Sequence, residues 1–269
     1  MSNDPGNLNI MWIIACDTLG KILFKKKLTR KFYYHASGIN EQQRKTLQWN
    51  KSLAGLFESL SIHHFKTADL TAYGDSIINY RDNFGTIWER MAGSRKWSHA
   101  KFRLHRNKTK VIDTFLESLI PRNGLGQEIY DKPHMYYGSG QFPSGGRGQK
   151  SVPLKYIKKR CQNFFHCWTV NEFRTSQVCH HCGLCRLCDV VKVSPDAKKK
   201  TTIRGLKSCP SIECKHNPMK NRDEVGSSNI MMRGLGNDNT LFDRKLVPWK
   251  NRSPKQVMIY TRTNIGFEE

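Results

Sequence analysis

The sequence predicts a mixed α/β domain with a zinc-binding module inserted near its C-terminal end. Three observations predict it. A short run near the start, Ile10 to Cys16, is apolar on both faces. A long stretch from Asn40 to Ile120 repeats apolar residues at helical spacing. Two cysteine pairs, Cys179-x2-Cys182 and Cys209-x4-Cys214, then stand on an otherwise polar segment.

The elements follow in order. Ile10 to Cys16 is β-branched and aromatic and ends at the turn signal Asp17-Thr18-Leu19-Gly20, so it reads as a central strand. Lys21 to His35 reads as its longer, basic hairpin partner, with Lys25-Lys26-Lys27 and Arg30-Lys31 on a solvated face. Leu53, Leu56, Phe57 and Leu60, then Val111, Ile112, Phe115, Leu116 and Leu119, mark helices that Gly74, Gly85 and Gly93 divide into three. Within them, Arg95 to Lys110 alternates basic residues with Trp97, His99, Phe102 and His105. Two readings stand for that segment: a surface along a nucleic acid backbone, or a core helix with a solvated basic face. Lys132 to Gly138 predicts a short strand, and the Gly/Ser-rich stretch to Gly148, with Arg147 and Lys150, a loop. Pro153 opens a helix to Phe165, Cys167 to Phe173 makes a strand, and Asp223 to Leu235 a closing helix. The segment after Gly236 is polar, Asn-rich and without period, which predicts loose order.

Charge narrows the partner. Lys+Arg 45 against Asp+Glu 22 gives a net charge of +23, with pI near 9.8, and a polyanion is the leading partner. The apolar run Ile10 to Cys16 is too short to span a bilayer, and the N-terminus lacks a basic region followed by an apolar stretch. The nine cysteines are therefore expected to be reduced, in an intracellular setting.

In a reducing compartment, closely spaced cysteine pairs are metal ligands. Zinc takes four thiolates or imidazoles at tetrahedral corners, and a Cys-x2-Cys knuckle supplies two from one tight turn. Cys179, Cys182, Cys209 and Cys214 are the preferred set; exchange with Cys185 or Cys188, participation of His180, His181 or His216, and a second, weaker site stay open. Cys16, Cys161 and Cys167 lie on apolar segments and read as packing residues.

Carboxylates flank this module within a basic chain: Glu172 before it and Asp223 after it, with Asp4 at the far end. Acids gathered by a fold hold divalent metal against phosphate. Singly, each has a plainer role: Asp4 before Pro5-Gly6 as a turn residue, and Asp223 as a helix N-cap.

Taken together, these pieces resemble the RuvC-like nuclease half of TnpB proteins and their eukaryotic and viral relatives, the Fanzors; miniature type V CRISPR nucleases are similar too. The resemblance is carried by Asp4-Pro5-Gly6, Tyr33-Tyr34-His35-Ala36-Ser37-Gly38, Tyr137-Gly138-Ser139-Gly140, Glu172-Phe173-Arg174-Thr175-Ser176, the two cysteine pairs, and Asn221-Arg222-Asp223 with Asn229-Ile230. It implies an RNase H-like (RuvC) mixed sheet over 1–173 with a helical insertion at about 40–120. A zinc-ribbon target nucleic-acid-binding module over 174–220 follows, then the last RuvC helix over 221–235 and a basic, polar tail over 236–269. It further implies a DNA target, a guide RNA in intact effectors, nuclear location in a eukaryotic or viral host, structural Zn²⁺, and catalytic Mg²⁺ held by Asp4, Glu172 and Asp223. Arg174, Arg222 and Arg147 would be phosphate contacts. Two departures are noted: only Met1-Ser2-Asn3 precede Asp4 where the family has a full apolar strand, and the family's guide-binding domains are not in this sequence. The first strand is thus expected to be truncated, which leaves a second reading, a non-catalytic zinc-dependent DNA- or RNA-binding protein.

Overall fold

The structure, a computed structural model, describes residues 1–6, 8–17, 21–62, 65–122, 132–140, 153–183, 186–193, 200–236, 257–260 and 265–268. It is mixed α/β. The chain forms two compact units, Met1–Arg30 with Phe115–Glu269, and Lys31–Thr114.

The first unit is built on a five-stranded mixed sheet. Its strands are β1 (Ser2–Asp4), β2 (Asn9–Cys16), β3 (Ile22–Thr29), β4 (His134–Gly138) and β5 (His166–Val170), in the order β3-β2-β1-β4-β5. β2 runs antiparallel to β1 and β3, whereas β1, β4 and β5 run parallel. In β2, Ile10, Met11, Ile13, Ile14 and Ala15 are all buried, as expected of a strand covered on both faces. β3 is largely exposed and carries its lysines outward.

At the centre of the sheet stands β1, only three residues long. Its residues are polar, yet Ser2 and Asn3 are fully buried. Two of their polar atoms are met: Asn3 Oδ1 accepts from the Trp12 amide at 3.1 Å, and Ser2 Oγ lies 2.9 Å from Ser227 Oγ, whereas Asn3 Nδ2 is buried without a hydrogen-bond partner. The strand expected to be truncated is therefore short but paired on both sides.

Helix α6 (Leu154–Phe164) connects β4 to β5 and buries Ile157 and Cys161. A second sheet, in the order β10-β9-β6-β7-β8, is made by β6 (Cys188–Val193), β7 (Lys200–Ser208), β8 (Met219–Asn221), β9 (Val257–Tyr260) and β10 (Ile265–Glu268). Strand pairing supplies an order to 257–260 and 265–268 that their composition does not announce, since β9 adds parallel to β6. Helix α7 (Arg222–Gly234) touches β1, β2, β4 and β5 of the first sheet and β7 and β8 of the second.

The second unit is helical: α1 (Arg30–Ala36), α2 (Ile39–Asn50), a short 3-10 turn, α3 (Ala54–Ile62), α4 (Leu70–Ala92) and most of α5 (Lys96–Glu117). Two expectations change here. The β-rich segment to His35 turns helical at Arg30, so the hairpin partner ends at Thr29. Gly74 and Gly85 lie inside α4, capped by Asp69, because a long helix absorbs the cost of about 1 kcal/mol per glycine; only Gly93 stops it. Among the described residues, no helix is long and apolar enough to cross a membrane.

Candidate active site and metal centre

The parallel strands fix where the acids meet. Ser2 and Asn3 of β1 pair with Tyr136 and Tyr137 of β4, so Asp4 comes level with Gly138, which in turn pairs with Val170 of β5. Asp4 and the end of β5 thus flank the end of β4, at the C-terminal edge of parallel strands where α/β sheets place their sites. Glu172 is not on the strand, as expected from sequence, but in the turn after it. That turn holds Arg174 at φ 61, a left-handed backbone that costs a non-glycine residue about 1 kcal/mol.

The turn brings Glu172 back over β4, and the glycine there makes room. A Cβ on Gly138 would sit 2.7 Å from Glu172 Cδ, closer than packed atoms allow. Glu172 also accepts a hydrogen bond from the Gly140 backbone, while its Oε1 is buried without a hydrogen-bond partner.

Asp223 arrives on the first turn of α7. The N-cap is Asn221, not Asp223: the Asn221 Oδ1 accepts from the amides of Asp223, at 3.0 Å, and Glu224, at 3.3 Å. Freed from capping, Asp223 Oδ2 accepts instead from Asn9 Nδ2 at 2.5 Å. Gly226, one turn further along, packs against Asp4; a Cβ there would lie 2.8 Å from Asp4 Cγ.

Electrostatics follow from this crowding. Burial, then the charges of Glu172 and Asp223, push the Asp4 carboxyl well above its ordinary range, with Arg222 only partly offsetting them. Burial likewise raises Glu172, against the Gly140 amide and Arg222. Three acids distant in sequence therefore share one neighbourhood. Of the three arginines expected near phosphate, Arg222 stands beside the acids, Arg174 lies over the Phe173 ring at 5.0 Å, and Arg147 falls outside the described residues.

The four expected cysteines converge more tightly. Cys179, Cys182, Cys209 and Cys214 place their sulfurs within 4.8 Å of one another, the only such cluster of ligand atoms among the described residues. Cys179 and Cys214 are 3.8 Å apart, and Cys182 and Cys209 3.7 Å. Tetrahedral zinc with Zn–S bonds of about 2.3 Å requires sulfur separations of about 3.8 Å, so the set fits zinc. Burial, then the neighbouring sulfurs of Cys209 and Cys179, push the Cys214 thiol up to about 12. His181 Nδ1 lies 3.6 Å from Cys214 Sγ, outside the four ligands but able to orient one. Cys188, His180 and His216 do not join the cluster, and Cys185 is outside the described residues.

Helix α7 joins the two centres. Val225 packs with Cys179, Leu187, Cys209 and Cys214, two positions from Asp223. Asn229 Nδ2 donates to the carbonyls of Thr175, at 2.6 Å, and Val178, at 2.9 Å, which ties down the segment between Glu172 and Cys179. Sequence reading missed Asn9 and Gly226, and it named Gly138 and Asn229 only as parts of the resembling motifs, without roles, because those roles depend on partners remote in the chain. Asn221 alone had a local signal, an Asn three residues ahead of Glu224. No protein-family model and no curated protein matches this sequence.

Proposed function

We propose that this chain is a metal-dependent nuclease of RuvC-like type, related to the TnpB and Fanzor proteins, that cuts DNA phosphodiesters. The observation that carries the reading is the meeting of Asp4, Glu172 and Asp223 at one end of the parallel strands, at a cost visible in the raised proton affinity of Asp4. A fold gathers like charges against burial where something cationic is to be held. The strand order β3-β2-β1-β4-β5, with β2 alone reversed, agrees with an RNase H-like sheet.

Magnesium suits the donor set, because all three groups offer hard carboxylate oxygens and Glu172 Oε1 has no other partner. When bound, such ions activate water and neutralise the charge of the leaving oxygen. The chain's own residues do the positioning. Asn9 orients Asp223, Gly138 and Gly226 let the carboxyls approach, and Arg222 supplies a cation beside them for phosphate. The net charge of +23 brings a DNA target to this edge, with a guide RNA in an intact effector. The four thiols serve zinc as a structural module, and reading the cysteines as reduced goes with an intracellular location, nuclear in a eukaryotic or viral host.

One observation favours the second reading, a zinc-dependent nucleic-acid-binding protein without catalysis: the carboxylate oxygens do not converge as the sulfurs do. Cleavage decides between them. Zinc-loaded protein is incubated with single-stranded and duplex DNA in Mg²⁺ or Mn²⁺, beside Glu172→Gln and Asp223→Asn. The nuclease reading expects divalent-dependent cleavage that falls about 100-fold or more in either variant. Binding with no cleavage by the parent chain, with and without co-purified RNA, would establish the second reading.

A further inference from the structure

The helical unit carries a cleft that plays no part in the site above. It has a volume of about 680 Å³ and lies between α2 and α5. Lys45 and Trp49 line it from α2, and Lys96, His99, Arg103 and Arg106 from α5. The α5 positions are spaced by three and four residues, so they form one face, and Lys110 extends the same row. From Lys96 to Lys110 the row runs about 21 Å at 1.5 Å per residue.

Contacts behind the cleft fix Trp49, one of its lining residues. Trp49 and Trp97 meet edge to face at 4.9 Å, Trp97 Nε1 donates to the Arg90 carbonyl at 3.2 Å, and Arg90 Nη2 donates to the Trp49 carbonyl at 2.9 Å. Lys96 Nζ sits over the Trp49 ring at 5.4 Å. Phe102 also lines the cleft and leaves its ring 68% exposed, open to a planar partner. Glu41 pairs with Lys45 and feels Arg103 and Arg44, which offsets part of the charge and leaves a clear cationic excess.

We propose that this cleft binds a single-stranded segment of nucleic acid, with the α5 row contacting successive phosphates and Phe102 stacking on a base. A single strand fits better than a duplex because an exposed ring beside a narrow cationic row can use only a splayed base. The cleft is independent of the proposed nuclease reading, since its residues all belong to the helical unit.

The test reads binding, not cleavage, on the full zinc-loaded chain without added Mg²⁺. Labelled 20-nucleotide oligothymidylate and oligouridylate are titrated by fluorescence anisotropy across a range of salt. Arg103→Gln with Arg106→Gln is expected to flatten the salt dependence by about 1.4 in log K against log salt, at about 0.7 per phosphate contact. Phe102→Ala is expected to weaken binding about 5- to 150-fold, and its exposure makes misfolding a poor explanation for that loss. Lys155→Gln with Lys159→Gln, exposed charges on α6, is the control of equal charge. Either strand chemistry bound in this way bears the proposal out. The idea fails if the α6 control loses as much as the α5 pair, or if Phe102→Ala binds like the parent. Displacement of the oligonucleotide by polyglutamate as readily as by unlabelled strand would also overturn it and point to an acidic protein partner.

Discussion

Asp4 shows how one side chain can be made uncomfortable by design of its surroundings. It closes a strand of buried polar residues, has two further acids for neighbours, and gains only Arg222 in compensation. Its folded-state proton affinity is above the unfolded one, so its contribution to stability is full below the ordinary value of 3.8 and is lost as pH rises through the raised value. The isosteric neutral variant Asp4→Asn is therefore expected to gain on the parent chain as pH rises from 5 to 8 in zinc-containing, Mg²⁺-free buffer. Thermal melting of both proteins at each pH measures this; a Tm difference that stays flat across the range would contradict it. Added Mg²⁺ should narrow the gap, because a cation replaces the proton that neutralises the site.

Helix α7 is the element on which most of the arrangement depends. Asn221 caps it, Asp223 faces Asn9, Val225 packs on the cysteines, Gly226 clears Asp4, and Asn229 holds two loop carbonyls. Asn229→Ala would leave buried carbonyls of Thr175 and Val178 without donors, a loss of about 2 kcal/mol or more. The expected outcome is a lowered Tm together with faster transfer of zinc to a colorimetric chelator, because Val178 precedes the first ligand, Cys179. A lowered Tm with unchanged zinc transfer would show that the loop is held by other means. Much of the element pattern was legible in the sequence. β2 announced itself by a continuous apolar run, α6 by its opening proline, and the zinc cluster by local cysteine spacing. Arg30 to Ala36 was not legible, since aromatic residues favouring strands were overridden by tertiary context. The glycines that admit Asp4 and Glu172 were equally hidden, because nothing near Gly138 or Gly226 in sequence reveals which carboxyl comes to rest there.

For the whole molecule, zinc is expected to act as part of the core. The cysteines share a buried cluster with Leu187 and Val225, so metal binding and folding of this region are one equilibrium. Purified chain should contain about one zinc per molecule by mass spectrometry. Chelation, or Cys214→Ser, should lower Tm by many degrees; a metal-free chain melting within about 2 °C of the loaded one would exclude a structural role. The fold legible from sequence was its class and its metal module, while the union of three acids needed the sheet register and the α7 packing. A last consequence concerns how α7 is phased. Asp223 and Val225 are two residues apart, about 200° around the helix axis at 100° per residue, so one side addresses the carboxyls and nearly the opposite side the thiols. Turning the helix to ease either side would dislodge the other. Its rotation is thereby indexed from both sides, as a key is by wards cut on both edges, and one residue added between Asp223 and Val225 would throw the two centres out of phase with each other.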